Sequence, residues 1–289
     1  MSDTRLAVAK TYKLYIGGKF PRSESGRSYP VTDTRGRFLA NVAHASRKDL
    51  RDAVVAARKA FAGWSGATAY NRGQVLFRVA EVMEGRRDQF VAEVRAAEGV
   101  QPRRAEALVD AAIDRWVYYA GWTDKLSAVL GAANPVAGPY FSFTVPEPTG
   151  VVGVFAPQKS SLLGLVSVVA PVLATGCTAV VVTSAERPLP AVTLSEVLAT
   201  SDVPGGVVNV LTGRAEELAP WMASHADVNA LDLTGVEPSA RAELERAAAD
   251  TVKRLVRAPR QEPDWTATPG LERLRPYLEE KTVWHPMGV

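Results

Sequence analysis

Residues 148–213 decide the fold, and this stretch opens with Pro-Thr-Gly-Val-Val-Gly-Val-Phe-Ala-Pro. Residues 151–155 form a short apolar run, which is typical of a strand buried on both faces of a parallel sheet. Residues 179–182 form a second run, rich in β-branched side chains, which predicts another strand. The apolar stretch between the two runs predicts a helix. The unit is therefore a strand, a right-handed helical crossover and a parallel strand.

Small and polar residues mark the limits of that helix. Ser160 or Ser161 can cap its first turn, and Gly176 can end it. Parallel sheets of this kind bind ligands at the carboxyl ends of their strands. Those ends are residues 157–159 and 183–186, so we expect a binding site there.

The composition is that of an ordinary globular protein, since 47% of the 289 residues are hydrophobic and 22% are charged. A net charge of only +3, with no stripe of Lys and Arg, argues against nucleic acid as a partner. The single cysteine excludes an intramolecular disulfide and, with a polar first segment, predicts a cytoplasmic protein. Pro171 and Gly176 interrupt the most apolar stretch, residues 162–182, so we expect no membrane span.

The rest of the chain continues the alternation of strands and helices. Further helices are predicted at residues 49–64 (with Ser46 as N-cap), 70–83, 87–97, 102–131, 216–224 and 239–255, and further strands at residues 140–145, 207–211 and 228–233. Strands that alternate with helices in the second half predict a parallel α/β sheet. Residues 258–270 have the composition of a linker. Residues 271–289 form a tail, in which residues 282–284 favour a strand.

Seven stretches of the sequence together resemble the aldehyde dehydrogenase superfamily. They are residues 14–20 (Leu-Tyr-Ile-Gly-Gly-Lys-Phe), 49–64 (ending Ala-Phe-Ala-Gly-Trp), 118–125 (Tyr-Tyr-Ala-Gly-Trp-Thr-Asp-Lys), 147–153 (Glu-Pro-Thr-Gly-Val-Val-Gly), 170–176 (Ala-Pro-Val-Leu-Ala-Thr-Gly), 204–209 (Pro-Gly-Gly-Val-Val-Asn) and 233–235 (Leu-Thr-Gly). The resemblance is specific because all seven keep the family's order and spacing.

The resemblance implies an α/β fold: a Rossmann-like coenzyme-binding domain with a small antiparallel oligomerisation sheet. We assign residues 12–257 to that domain, with the oligomerisation hairpin inserted near residues 138–148. Residues 258–270 are then the linker, and residues 271–289 are the oligomerisation tail. The family has its catalytic domain between these two parts, so we interpret the chain as a truncated member without that domain.

The catalytic residues that the resemblance implies have no counterparts here, and we predict none. The family's nucleophile is a cysteine of the catalytic domain, whereas Cys177 lies at a helix-to-strand turn, where we expect a buried structural thiol. The family's glutamate base matches residues 256–260, which contain no carboxylate. The asparagine of its oxyanion hole is replaced within residues 158–161 (Gln-Lys-Ser-Ser), and a lysine differs from an amide in geometry and donors.

The coenzyme contacts that the resemblance implies are only partly retained. The candidate positions are Thr183, Glu186, Gly213, Thr234 and Gly235. Thr183 replaces a lysine of the family, and the turn after Gly213 gains an arginine and two acids, which add bulk and negative charge where a diphosphate would lie. We therefore predict that NAD or NADP binds weakly or not at all.

Two other kinds of site find little support in the sequence. His44, His225 and His285 lack the spacing of zinc ligands, so no metal site is predicted. Lys159 next to Ser160 suggests a Ser–Lys hydrolase, but the start of a helix explains the pair better.

Three functions follow from the resemblance. The first is a non-catalytic subunit that assembles as a heteromer with a full-length aldehyde dehydrogenase paralogue, through the hairpin, the tail and the helix at residues 239–255. The second is a stand-alone NAD(P)-binding oxidoreductase. The third is a regulatory module that senses a nucleotide.

Overall fold

The computed structural model describes residues 10–257 and 260–288. Its strands are β1 (Thr11–Tyr12), β2 (Ser28–Thr32), β3 (Phe38–Ala43), β4 (Ala132–Asn134), β5 (Tyr140–Pro148), β6 (Val151–Phe155), β7 (Thr178–Val182), β8 (Val208–Leu211), β9 (Ala230–Asp232), β10 (Arg254–Val256) and β11 (Leu278–Pro286). Its α-helices are α1 (Arg47–Gly66), α2 (Ala69–Glu84), α3 (Arg87–Glu98), α4 (Pro102–Ala120), α5 (Leu126–Leu130), α6 (Leu163–Ala174), α7 (Leu189–Leu198), α8 (Ala215–Ser224) and α9 (Arg241–Ala249). The first two residues of the predicted linker, 258–259, lie outside the described residues.

The centre of the fold is a parallel sheet of five strands in the order β10-β9-β6-β7-β8. Every residue of β6, α6 and β7 is buried, because these apolar segments lie in the middle of the layers. The predicted α/β fold is confirmed. Gly176 follows α6 with a φ of 90°, a conformation that suits glycine.

The start of α6 differs from the prediction. Leu162 is the N-cap residue, and its side chain makes no capping hydrogen bond. Ser160 lies two residues earlier, and its Oγ still accepts the N–H of Gly164 at 2.9 Å. Ser161 does not cap the helix; its N–H and its hydroxyl both donate to Glu98.

Two predicted helices are shorter than the sequence pattern indicates. The helix predicted at residues 102–131 ends at Ala120, because Gly121 caps it and a turn separates α4 from α5. The helix predicted at residues 239–255 ends at Ala249. Residues 254–256 then form β10, whose backbone pairs with residues 230–232 of β9. This strand exists because a neighbouring strand offers it hydrogen bonds, which local sequence does not reveal.

A second sheet is antiparallel, in the order β11-β5-β4. Nine residues of β11 pair with nine of β5, from Leu278 opposite Pro148 to Pro286 opposite Tyr140. The hairpin begins earlier than predicted, since β4 starts at Ala132. The tail divides at Leu278. Before it, Leu274 and Tyr277 are fully buried, whereas Trp284 beyond it is 57% exposed.

Among the described helices, none is both long enough and apolar enough to cross a lipid bilayer.

Candidate functional site

A cavity of about 570 Å³ lies at the carboxyl ends of β6 and β9. Its lining residues come from the loop after β6, the turn after β9 and the start of the segment that follows β10; they include Gln158, Lys159, Thr234, Gly235, Arg241 and Glu262. Parallel sheets bind ligands at such strand ends, and the cavity includes Gln158 and Lys159 of the predicted site but no residue of 183–186. It contains two of the five predicted cofactor positions, Thr234 and Gly235.

Gly235 brings the turn after β9 tightly against β6. Its N–H donates to the carbonyl of Phe155 at 2.9 Å. A Cβ at this position would lie 1.9 Å from the carbonyl oxygen of Ala156, so only glycine fits. The neighbouring Thr234 donates both its N–H (2.9 Å) and its hydroxyl to the carboxylate of Asp232. Close packing of Gly235 against β6, and hydrogen bonds of Thr234 to Asp232 of β9, account for both residues without a ligand.

The other three predicted positions lie at the ends of β7 and β8, and none of them is among the residues that line this cavity. Thr183 is 1% exposed, and its hydroxyl donates to the carbonyl of Ser184 at 3.2 Å. Glu186 is exposed. Gly213 is buried, and a Cβ there would meet Ala45 at 3.5 Å. The predicted cofactor residues thus divide into two groups, and their role in binding stays a prediction.

Glu262 is a residue of the site that sequence reasoning missed. Its carboxylate accepts the N–H of Lys159 at 3.1 Å, the N–H of Ser160 at 2.9 Å and the indole N–H of Trp265 at 3.0 Å. It lies in the predicted linker, whose Pro-rich polar composition is typical of an unpacked segment. A tryptophan beside acidic residues was the one available signal, and Trp265 is only 8% exposed.

A second missed cluster surrounds Asp232, whose side chain is fully buried. Besides the two donors of Thr234, it receives the phenol of Tyr277 at 2.8 Å and the guanidinium of Arg273 at 3.1 Å. Burial raises the pKa of Tyr277 well above its usual value. Asp232 therefore fastens the tail to the end of the central sheet, with its charge compensated by Arg273.

The single cysteine is fully buried, which confirms the prediction of a buried thiol. The Sγ of Cys177 lies 3.3 Å from the carbonyl oxygen of Tyr277 and donates to it. Burial also raises the pKa of this thiol, so the reactive thiolate is disfavoured. The arrangement suits packing of the tail and does not suit a nucleophile.

No group of three or more His, Cys, Asp or Glu side chains that could hold a metal ion occurs among residues 10–257 and 260–288. His225 uses its Nδ1 to accept the N–H of Asp227 at 3.2 Å. His285 lies on the exposed part of β11, opposite Phe141.

Comparison with known proteins places this architecture in one family. The family model described as the aldehyde dehydrogenase family matches residues 20–258. Mitochondrial benzaldehyde dehydrogenase of Antirrhinum majus is 33% identical over 246 residues, which are 83% of this chain and 45% of that protein. Human retinal dehydrogenase 2 is 33% identical over 261 residues, 88% of this chain and 49% of that protein.

Solved structures agree with the sequence relatives. HpcC from Thermus thermophilus superposes with a TM-score of 0.81 at 31% identity, over 85% of this chain and 47% of that one. The NAD+ complex of an aldehyde dehydrogenase from Bacillus cereus gives a TM-score of 0.79 at 26% identity, over 85% and 50% of the two chains. The chain spans about half the length of the curated relatives that it matches. With a family model that covers most of its residues, the chain belongs to the aldehyde dehydrogenase family.

Proposed function

We propose that this chain is a cytoplasmic, non-catalytic aldehyde-dehydrogenase-like subunit, which assembles with a full-length aldehyde dehydrogenase paralogue. The observation that carries the proposal is the burial of Cys177, the only cysteine of the sequence, against the carbonyl of Tyr277. The resemblance implies a cysteine nucleophile, and a fully buried thiol with a raised pKa cannot reach a substrate. Catalysis would then belong to the partner.

The predicted coenzyme positions support weak or absent binding of NAD or NADP. The hydroxyl of Thr183 already donates to a backbone carbonyl, and that of Thr234 donates to Asp232. The turn after Gly213 carries Arg214 and Glu216, whose charged groups lie 3.7 Å apart. These side chains already have partners within the protein, which disfavours their use in binding a coenzyme.

The antiparallel sheet supports the assembly part of the proposal. β11 lies at its edge, and an edge strand offers unpaired backbone groups to another chain. One face of the sheet carries Phe141, Phe143 and Val283, because Val283 lies directly opposite Phe143. The other face carries Tyr140 and Trp284, whose rings meet edge-on at 5.8 Å. Aromatic residues that are half exposed on both faces are typical of an interface centre.

The test is co-expression with the aldehyde dehydrogenases of the same source, followed by affinity capture and size exclusion. We expect the chain to co-elute with a full-length enzyme and Trp284→Ala to weaken that complex at least tenfold, as expected for an aromatic at an interface centre. Trp221→Ala is the matched control, because Trp221 is 43% exposed but lies on α8. A chain that stays monomeric and captures none of these enzymes would contradict the proposal.

A chain truncated at Gly270, which lacks the whole tail, would be a poor test of assembly. Leu274 and Tyr277 are buried in the main core, so the shortened chain would lose packing as well as the edge strand. A surface substitution on β11 separates the two effects.

A stand-alone NAD(P)-binding oxidoreductase is the second candidate. The cavity of about 570 Å³ at Thr234 and Gly235 favours it, since its volume suits a small-molecule ligand. Calorimetric titration with NAD and NADP discriminates between the two: sub-millimolar binding would support this candidate, and no saturable binding would reject it.

A further inference from the structure

The segment of residues 260–269, here called the strap, crosses the carboxyl end of β6. Its Glu262 binds the loop after that strand with both carboxylate oxygens: Oε2 accepts from Lys159 and Oε1 accepts from Ser160. The indole of Trp265 donates to Oε1 as well. A carboxylate held by two adjacent backbone N–H groups and an indole is bound as a ligand would be.

The loop that receives Glu262 is built to hold negative charge. After Lys159 and Ser160, the next N–H group, that of Ser161, donates to the carboxylate of Glu98 at 2.7 Å. Three consecutive N–H groups are thus all directed at carboxylates. The twelve-residue helix α6 begins shortly afterwards, and its N-terminal dipole adds to the attraction.

The strap is fastened mainly at its C-terminal side. The guanidinium of Arg115 donates to the carbonyls of Trp265 at 2.7 Å and Ala267 at 3.1 Å. Tyr118 donates to the carbonyl of Pro269 at 2.7 Å. Residues 260–261 and 263–264, on either side of Glu262, are exposed. The residues that flank Glu262 are therefore less tightly packed than the anchored part of the strap.

The two cavities beside Glu262 are lined by more cationic than acidic side chains, since Glu98, Glu237 and Asp264 are the acids besides Glu262. Lys159 and Glu262 line both the cavity of about 570 Å³ and a second one of about 290 Å³. Arg104 and Arg187 line the smaller cavity, and Arg260 lines the larger one. A cleft with several cations attracts anions from solution.

We propose that the loop at Lys159 and Ser160 is a binding site for a carboxylate ligand, and that Glu262 of the strap is an internal ligand that closes it. An external carboxylate binds when Glu262 is displaced and makes the same two hydrogen bonds to the backbone. Nothing in this proposal depends on a partner enzyme, because the site lies within one chain.

Chemical rescue tests the site. In Glu262→Ala, acetate should replace the missing carboxylate, whereas the wild-type chain has its site filled. The matched control is Glu237→Ala, which removes an exposed carboxylate from the lining of the same larger cavity. Acetate affinity is measured by calorimetry and by thermal unfolding, with chloride exchanged for acetate at constant ionic strength. A ligand that binds only the folded state raises the unfolding temperature in proportion to its occupancy.

We expect acetate to bind Glu262→Ala at least tenfold more tightly than the wild type and to raise the unfolding temperature of that variant alone. Equal affinity in all three proteins, or equal stabilisation, would overturn the proposal. If Glu262→Ala does not fold, acetate is added during refolding. Recovery of folded protein in acetate but not in chloride supports the site, and recovery in neither rejects it. The isolated chain is used throughout, so the outcome is separate from that of the assembly experiment.

Discussion

The buried ion pair of Asp232 and Arg273 gives the sharpest prediction about stability. Asp232 is fully buried, and Arg273 is 16% exposed with its guanidinium 5.1 Å above the ring of Trp265. We consider the substitution Arg273→Met, which keeps most of the apolar stem and removes the charge. Asp232 would then be a buried carboxylate without a cation.

The expected loss follows from what Asp232 retains. Breaking a buried pair by removing one partner typically costs about 3–5 kcal/mol. Three donors remain for this carboxylate, two from Thr234 and one from Tyr277, so the lower end applies and we expect about 3 kcal/mol. In Asp232→Asn/Arg273→Met the buried charge is gone. We expect that double variant to be only about 1 kcal/mol less stable than the wild type.

Urea unfolding of the wild type, the two single variants and the double variant forms a double-mutant cycle, in which the double variant should be about 2 kcal/mol more stable than Arg273→Met. Arg254→Met is the control: Arg254 pairs with Glu279, but both side chains are more than one-third exposed, and exposed pairs contribute about 0–1 kcal/mol. The reasoning is refuted if Arg273→Met costs no more than Arg254→Met, or if the double variant is no more stable than Arg273→Met.

Two further predictions concern a buried acid and a tight turn. Burial raises the pKa of Glu93 from 4.5 to about 7, so between these pH values the folded state holds a proton that the unfolded state has lost. The free energy of unfolding should therefore fall by up to about 3 kcal/mol as the pH rises from about 4.5 to 7. Thermal melts across this range should show that Glu93→Gln removes this pH dependence. Gly235→Ala should lower the free energy of unfolding in urea by about 3 kcal/mol, because the added Cβ meets the carbonyl of Ala156. Gly66→Ala should not destabilise the protein, because a Cβ there meets no atom within 4 Å. Similar stabilities for the two glycine variants would contradict this prediction.

The parts of the fold that local sequence encodes are predictable. Ser46 is predicted as the N-cap of the first helix, and it forms a full capping box with Asp49. The strands β6 and β7 are predictable because buried parallel strands are continuous apolar runs. In these segments the pattern within a few residues determines the structure.

The parts that depend on distant neighbours are not predictable. The local pattern at residues 254–256 indicates the end of a helix. These residues are extended instead because their backbone pairs with the adjacent strand β9. The strap has the composition of a linker. Its packing is not predictable from that composition because the residues that hold it, Arg115 and Tyr118, lie on α4. The cluster at Asp232 leaves no local pattern in the sequence, since Arg273 and Tyr277, which bind its carboxylate, lie about 40 residues further along the chain.

The division of the tail at Leu278 changes what the tail implies. Its inner part places Leu274 and Tyr277 in the core and covers Cys177, so the fold itself needs those residues whether or not a partner exists. Its outer part, residues 279–286, lies on an edge strand and is largely exposed. This outer part is the one that the proposed assembly uses, because its unpaired edge lies beside half-exposed aromatic side chains. Assembly should therefore respond to Trp284, while stability should respond to Arg273, although both residues belong to the same tail.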